Sequence, residues 1–226
     1  PAVKRALAAP DAEAASGTSK ALSLDGVVVT HDSGLHVLAC LSNPRHLNHL
    51  DPTVLPHIFH SLTQRYDYVI VDGGKAFSDP LMKAFDAAHL ILLVTSPDVI
   101  TLYQTKWAVG MLESLMFPAV MVKAVLNRAE SRGGVGTKEA RVAIPCEVIA
   151  EIPSDGTTCG MAVNQGVPVV TAFANTKGAE AFGRLAEILE TKRQMYVSHQ
   201  DIPRHARADA PAGEAVPEGA GRIRSG

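Results

Sequence analysis

The sequence predicts an α/β protein: a mostly parallel sheet with helices on both faces. Three observations carry that reading. Short runs rich in Val, Ile and Leu recur along the 226 residues. Most of these runs are near-continuous rather than alternating, as strands buried on both faces are. Between them lie stretches with helical patterning, and strand–helix alternation implies right-handed crossovers within one sheet.

The elements follow in order. Residues 1–23 are alanine-rich and are expected to form a short helix and linker. "LHVLAC" (Leu35–Cys40) is the first expected strand, and a helix follows from Asp51 to Gln64, with Asp51 as cap and Pro52 in its first turn. "YVIVDG" (Tyr68–Gly73) is the next strand, followed by a helix over Asp79–Ala87. Then come a strand over Leu90–Thr95 and a helix over Asp98–Leu115. Strand Val120–Asn127 precedes a helix over Thr137–Ala143, and strand Glu147–Ile152 precedes helices over Thr158–Gln165 and Gly178–Lys192. From Gln194 the chain is rich in Ala, Gly and Pro and poor in large apolar residues, so it cannot offset its ordering entropy and is expected to be a disordered tail. The expected domain layout is therefore 1–23, 24–193 and 194–226.

Composition excludes several classes. A hydrophobic content of 46% supplies a core, and a net charge of −2 gives no electrostatic case for direct nucleic-acid binding. Cys40, Cys146 and Cys159 are scattered and odd in number, which suits a reducing cytosol rather than a disulfide scaffold or zinc ribbon. No apolar run approaches the roughly 20 residues of a membrane span. No signal peptide is visible, and a start without methionine reads as processed or truncated.

In parallel sheets ligands bind at the carboxyl ends of the strands, so the residues there are the candidates. Asp72 closes an apolar run and precedes Gly73-Gly74, the Walker B pattern, in which a carboxylate orders magnesium. Its bland alternative is a cap on the next element. Thr95-Ser96-Pro97-Asp98 reads as a helix cap. Asn127-Arg128 pairs an amide with a guanidinium, groups that hydrogen-bond and stack on a purine, although such pairs are common on surfaces. Pro153-Ser154-Asp155 is a turn suited to edging a base with backbone groups.

Taken together, "YDYVIVDGG", "LILLVTSPDVITLYQT", "VLNRAESRGG" and "AEIPSDGTTCGMAVNQGVPVV" resemble the MinD/ParA family of deviant-Walker P-loop ATPases over roughly Asp32 to Leu189. "HDSGLHVLAC" is most similar to the CpaE/TadZ-like branch, which works in pilus assembly and polar positioning. The resemblance implies ATP and Mg²⁺ as cofactors, with Asp72 as the Walker B acid and metal-positioning residue. It places Asn127 and Arg128 beside adenine, and Pro153, Ser154 and Asp155 at the border of the base. It also implies a homodimer closed around two nucleotides, pilus or secretion-system partners, and a cytoplasmic protein at the cell pole or inner face of the membrane. Membrane association would be at most peripheral, because the end of the chain lacks an amphipathic anchor. ATP hydrolysis is implied for the intact protein and not for this chain alone. The alternative is a scaffold that keeps the fold without hydrolysis.

The family's phosphate loop, K-G-G-V-G-[KT]-T-T, follows its first strand, and nothing matching it precedes Asp72. "SRGGVGTKEA" (Ser131–Ala140) is the one loop-like stretch. Lys138 is one position late for a phosphate clamp, Glu139 stands where a hydroxyl should meet magnesium, and Pro145 shortens the helix that follows. It reads instead as a mobile surface loop beside the base. His46/His49 and His57/His60 have metal-compatible spacing but no completing ligands. Trp107 and Met111 read as helix packing or a partner face.

Overall fold

The computed structural model describes residues 26–39, 52–131 and 133–198. The expectations for residues 1–23, Cys40, His46, His49, the Asp51 cap and residues 199–226 lie outside the described residues. The chain divides into two units. One combines the chain up to Ile91 with Asp155–Arg184, and the other combines Leu92–Ser154 with the chain from Leu185 onward.

The first unit opens with strands β1 (Val28–Thr30) and β2 (His36–Leu38), paired antiparallel with Val29 opposite Val37. The strand expected over Leu35–Cys40 is thus shorter and belongs to a hairpin rather than a parallel sheet. Its cause is local: the His31 amide donates to the Leu35 carbonyl, and Gly34 supplies the left-handed φ of 84° that the tight turn requires. A 3₁₀ turn (Pro52–Val54) leads into α1 (Leu55–Thr63), which buries Leu55, Ile58 and Leu62 at i, i+3 and i+7. Val28, Leu38, Tyr66 and Val69 pack on that stripe.

The run Tyr68–Gly73 departs most from expectation. It forms no strand, and Ile70 is 90% exposed with Val71 48%. A β-branched run becomes a strand only where a neighbour pairs its N–H and C=O groups, and no strand among the described residues does so here. Helix α2 (Asp79–Ala87) forms as expected, started by Pro80 in its first turn.

The three-stranded sheet, which belongs to the second unit from Leu92 onward, has the order β3 (Ile91–Thr95), β4 (Val122–Asn127), β5 (Glu147–Ile152). β4 and β5 are parallel, with Asn127 opposite Ile152 and an irregularity between Ala124 and Val125. Helix α3 (Val99–Ser114) connects β3 to β4 through a 3₁₀ turn (Ala119–Met121), and α4 (Thr137–Ala143) connects β4 to β5. Leu102 of α3, Ala124 and Leu126 of β4, and Ala140 of α4 form the core of this unit together with Ile144 and Val148. Arg141 of α4 is fixed to β5 by the Glu151 carboxylate at 2.6 Å and the Val148 carbonyl at 3.1 Å.

Helices α5 (Gly156–Gln165), α6 (Val169–Ala172) and α7 (Lys177–Thr191) complete the described chain. The disorder expected from Gln194 does not hold for its first residues: Arg193–Met195 form a 3₁₀ turn, and Met195 and Val197 are buried. These two apolar side chains are what the composition-based boundary overlooked.

Candidate functional site

The carboxyl edge of the sheet in the second unit brings three strand ends together through their backbones. β3 ends at Thr95, which is 2% exposed, and the Thr105 hydroxyl lies 2.8 Å from both Thr95 Oγ1 and the Thr101 carbonyl oxygen. Beyond it, Asp98 caps α3 by accepting from the Thr101 amide at 2.8 Å, and the Ser96 hydroxyl donates to its other oxygen at 2.6 Å. The Ser96 hydroxyl and then the Thr101 amide hold the Asp98 carboxyl below its usual value. The expected capping role of Asp98 is what the structure shows.

β4 ends at Asn127, and the next residue, Arg128, takes a left-handed φ of 54°. Few non-glycine residues tolerate that conformation, and it costs on the order of 1 kcal/mol. The Asn127 side-chain oxygen accepts from the Arg128 amide at 3.0 Å, which stabilises the kink. The Ala129 amide then donates to the Ile152 carbonyl at 3.0 Å, tying the end of β4 to the end of β5. The Arg128 side chain is left exposed, at an edge where the backbone around it is fixed on two sides.

The glycine loop that follows, expected as a surface loop beside the base, is tied to its surroundings at its second half. The Val135 amide donates to the Pro97 carbonyl at 2.7 Å, and the Thr137 hydroxyl donates to the Ala129 carbonyl at 2.8 Å. Gly134 is pressed on the Pro97 carbonyl so closely that any side chain there would collide. A phosphate cradle needs successive amides pointing outward. Here the Val135 amide is turned inward, which supports the sequence argument against a phosphate loop.

β5 ends at Ile152, with half-buried Pro153 and exposed Ser154 beyond it. Asn127, Arg128, Pro153 and Ser154 therefore follow the ends of two adjacent parallel strands paired at Asn127 and Ile152. Asp155 is the N-cap of α5 and accepts from the Thr158 amide at 3.1 Å, so that carboxylate has a structural task.

Asp72 lies in the first unit. One of its oxygens accepts from the Gly74 amide at 3.0 Å, while the residue stays exposed. Gly74 has a φ of 66°, and Gly73 is packed on Leu81. The carboxylate thus has an oxygen to offer a cation, as a Walker B acid would. No group of three His, Cys, Asp or Glu side chains suited to a metal occurs among the described residues, and His57 and His60 are exposed on α1. Sequence reasoning missed Pro97, whose carbonyl organises the loop; the signal was the proline ahead of the Asp98 cap.

No family model matches the chain. It is 25% identical over 164 residues to an uncharacterized ATP-binding protein of Methanocaldococcus jannaschii, covering 72% of this chain and 61% of that protein. It is 25% identical over 142 residues to the septum site-determining protein MinD of Thermotoga maritima, covering 61% and 52%. The chain thus spans between half and two thirds of these relatives. Among solved structures, a ParA family ATPase from Chlorobium tepidum superposes with a TM-score of 0.67 at 19% identity, covering 74% of this chain and 68% of that one. MinD of Pyrococcus horikoshii, complexed with Mg-ADP, gives 0.65 at 24% identity, covering 75% and 70%. MinD of Pyrococcus furiosus gives 0.60 at 27% identity, covering 70% and 65%. The chain has the α/β fold of the MinD/ParA P-loop ATPases, a parallel sheet flanked by helices.

Proposed function

We propose that this chain is part of an ATP-binding, ATP-hydrolysing protein of the MinD/ParA type, with residues 24–193 as its partial ATPase domain. In this reading adenine sits at the carboxyl edge of β4 and β5. Arg128 lies flat on the base, Asn127 and the Pro153–Ser154–Asp155 turn edge it, and Asp72 positions Mg²⁺. The observation that carries the reading is Arg128, held in a costly left-handed conformation at a strand end beside β5. Strain kept at a strand end in an α/β sheet is a mark of a ligand site. The likeness to ATP-binding relatives supports the same nucleotide. ATP would close a homodimer around two nucleotides, and hydrolysis would release it. The CpaE/TadZ resemblance extends this to a switch in pilus assembly or secretion-system positioning, acting in the cytoplasm through partner proteins. The second reading is a scaffold that keeps the fold without hydrolysis.

Titration of the intact protein with a fluorescent ATP analogue tests the assignment. Stacking of a guanidinium on a ring is worth about 0.5–2 kcal/mol, and lysine lacks the planar surface. Arg128→Lys and Arg128→Ala should each weaken binding, by up to roughly thirtyfold. Asp72→Ala should keep binding and lose Mg²⁺-dependent phosphate release. Unchanged affinity in both Arg128 variants removes that residue from the site. Wild-type protein that binds the analogue but releases no phosphate favours the scaffold.

A further inference from the structure

Helix α3 is apolar on both sides. One side buries Leu102, Thr105, Val109 and Leu112. The other exposes Ile100 (71%), Tyr103 (72%) and Trp107 (48%). A helix apolar all round is normally covered all round, and an aromatic stripe of this kind marks a contact surface. The exposed side also forms a shallow hollow, lined by Tyr103, Lys106, Trp107, Gly110, Met111 and Ser114.

We propose that this face docks on the same face of a second copy of the chain, antiparallel, across a two-fold axis beside Gly110. Three features argue for a second copy rather than another partner. A ridge, Tyr103 and Trp107, and a hollow at Gly110 lie on one stripe, the complementarity that an isologous contact needs. Gly110 presents bare backbone: a Cβ added there meets nothing within 4 Å, so a second helix can approach closely at the crossing point. The charges are self-complementary as well. Lys106 and Glu113 are both exposed, neither forms an ion pair among the described residues, and they lie seven residues apart on one flank of the helix. An antiparallel two-fold keeps each flank facing its own counterpart. With the axis at Val109–Gly110 it sets Lys106 against Glu113 of the second copy, twice, and brings the two Gly110 backbones together at the crossing point.

The contact is small. Sixteen helical residues span about 24 Å, and a face about 10 Å wide offers well under the roughly 800 Å² per partner of a stable interface. The association is therefore weak and depends on concentration, and it requires no nucleotide.

Sedimentation of the chain without nucleotide, from about 10 µM to about 1 mM, should show a monomer passing to a dimer. Lys106→Glu alone and Glu113→Lys alone should each remain monomeric. An equimolar mixture of those two variants should associate again, since each pairs with the other and not with itself. A variant that merely fails to fold cannot give that rescue. Independently, Gly110→Cys in a background with Cys40, Cys146 and Cys159 changed to serine should cross-link under an added oxidant, and Gln104→Cys in the same background should not. A chain that stays monomeric at about 1 mM, a dimer indifferent to both charge reversals, or a mixture without rescue overturns the proposal.

Discussion

Two apolar runs of this chain look alike in sequence and fold differently. "YVIVD" (residues 68–72) and "VKAVLN" (residues 122–127) both carry β-branched residues and end in a polar side chain at a turn. The second is β4: it lies between β3 and β5, and Val122, Ala124, Val125 and Leu126 are all at most 4% exposed. The first pairs with no strand among the described residues, and only Val69 is drawn into the cluster around Leu55, Ile58 and Leu62. The pattern of residues permits a strand; a neighbour on each side makes one. Amide hydrogen exchange should separate the runs most widely. Residues 123–126 should exchange only with global opening, at least about a thousandfold slower than residues 69–72, taking domain stability as about 5 kcal/mol. Comparable protection of the two runs would mean that 68–72 is paired in solution.

Truncation sharpens the same contrast. Leu126 is fully buried among Leu102, Ala124 and Ala140, so Leu126→Ala should cost about 2–5 kcal/mol from lost contacts and a cavity. Ile70→Ala removes a side chain that is 90% exposed and should stay within about 0.5 kcal/mol. Urea midpoints of the two variants decide it. A loss of 2 kcal/mol or more for Ile70→Ala would show that this run is covered in solution, in the intact protein above all.

Each run is also followed by a left-handed residue, and here the sequences diverge. After Asp72 that residue is Gly74 (φ 66°), which adopts the conformation without strain; after Asn127 it is Arg128 (φ 54°), which does not. Arg128→Gly should therefore stabilise the fold, by about 0.5–1 kcal/mol, while weakening nucleotide binding. Gain in one measurement with loss in the other would identify strain kept for function. A variant that loses stability and keeps affinity would assign the arginine to the fold instead.

How far the sequence foretold this molecule depends on how local the determinants are. β5, α2 and α4 lie where the residues predicted, because their ends carry their own signals: Pro80 opens α2 and Pro145 stops α4. The hairpin at Val28–Thr30 was missed because its pairing rests on Gly34 and two short strands, too brief for periodicity to register. The strand-end residues were legible as positions, since β4 and β5 bring Asn127 and Pro153 to one edge. The kink at Arg128 and the anchoring of the glycine loop on Pro97 were not, for both are tertiary hydrogen-bond outcomes that no spacing encodes.

The smallest expected effect concerns the one charge inside the buried run. Lys123 is 7% exposed, and its ammonium lies 3.0 Å from the Glu147 carboxylate of β5, which reaches solvent. The uncovered run 68–72 needs no such partner for Asp72, since water solvates it. In β4 an unpaired ammonium would carry its desolvation cost alone. Hydrogen bonding and charge from Lys123 lower the Glu147 carboxyl from its ordinary value of 4.5. A carboxyl lowered on folding contributes stability that is fully present above its unfolded value and is lost as pH falls through the folded one. Because the glutamate is largely exposed, the contribution is under about 1 kcal/mol. Glu147→Gln should thus be slightly less stable than wild type at pH 7, and the gap should close as pH falls from about 5 toward 3. Urea midpoints across that range read it directly. A gap that persists unchanged at pH 3 would mean that the glutamate acts by packing rather than by its charge on Lys123.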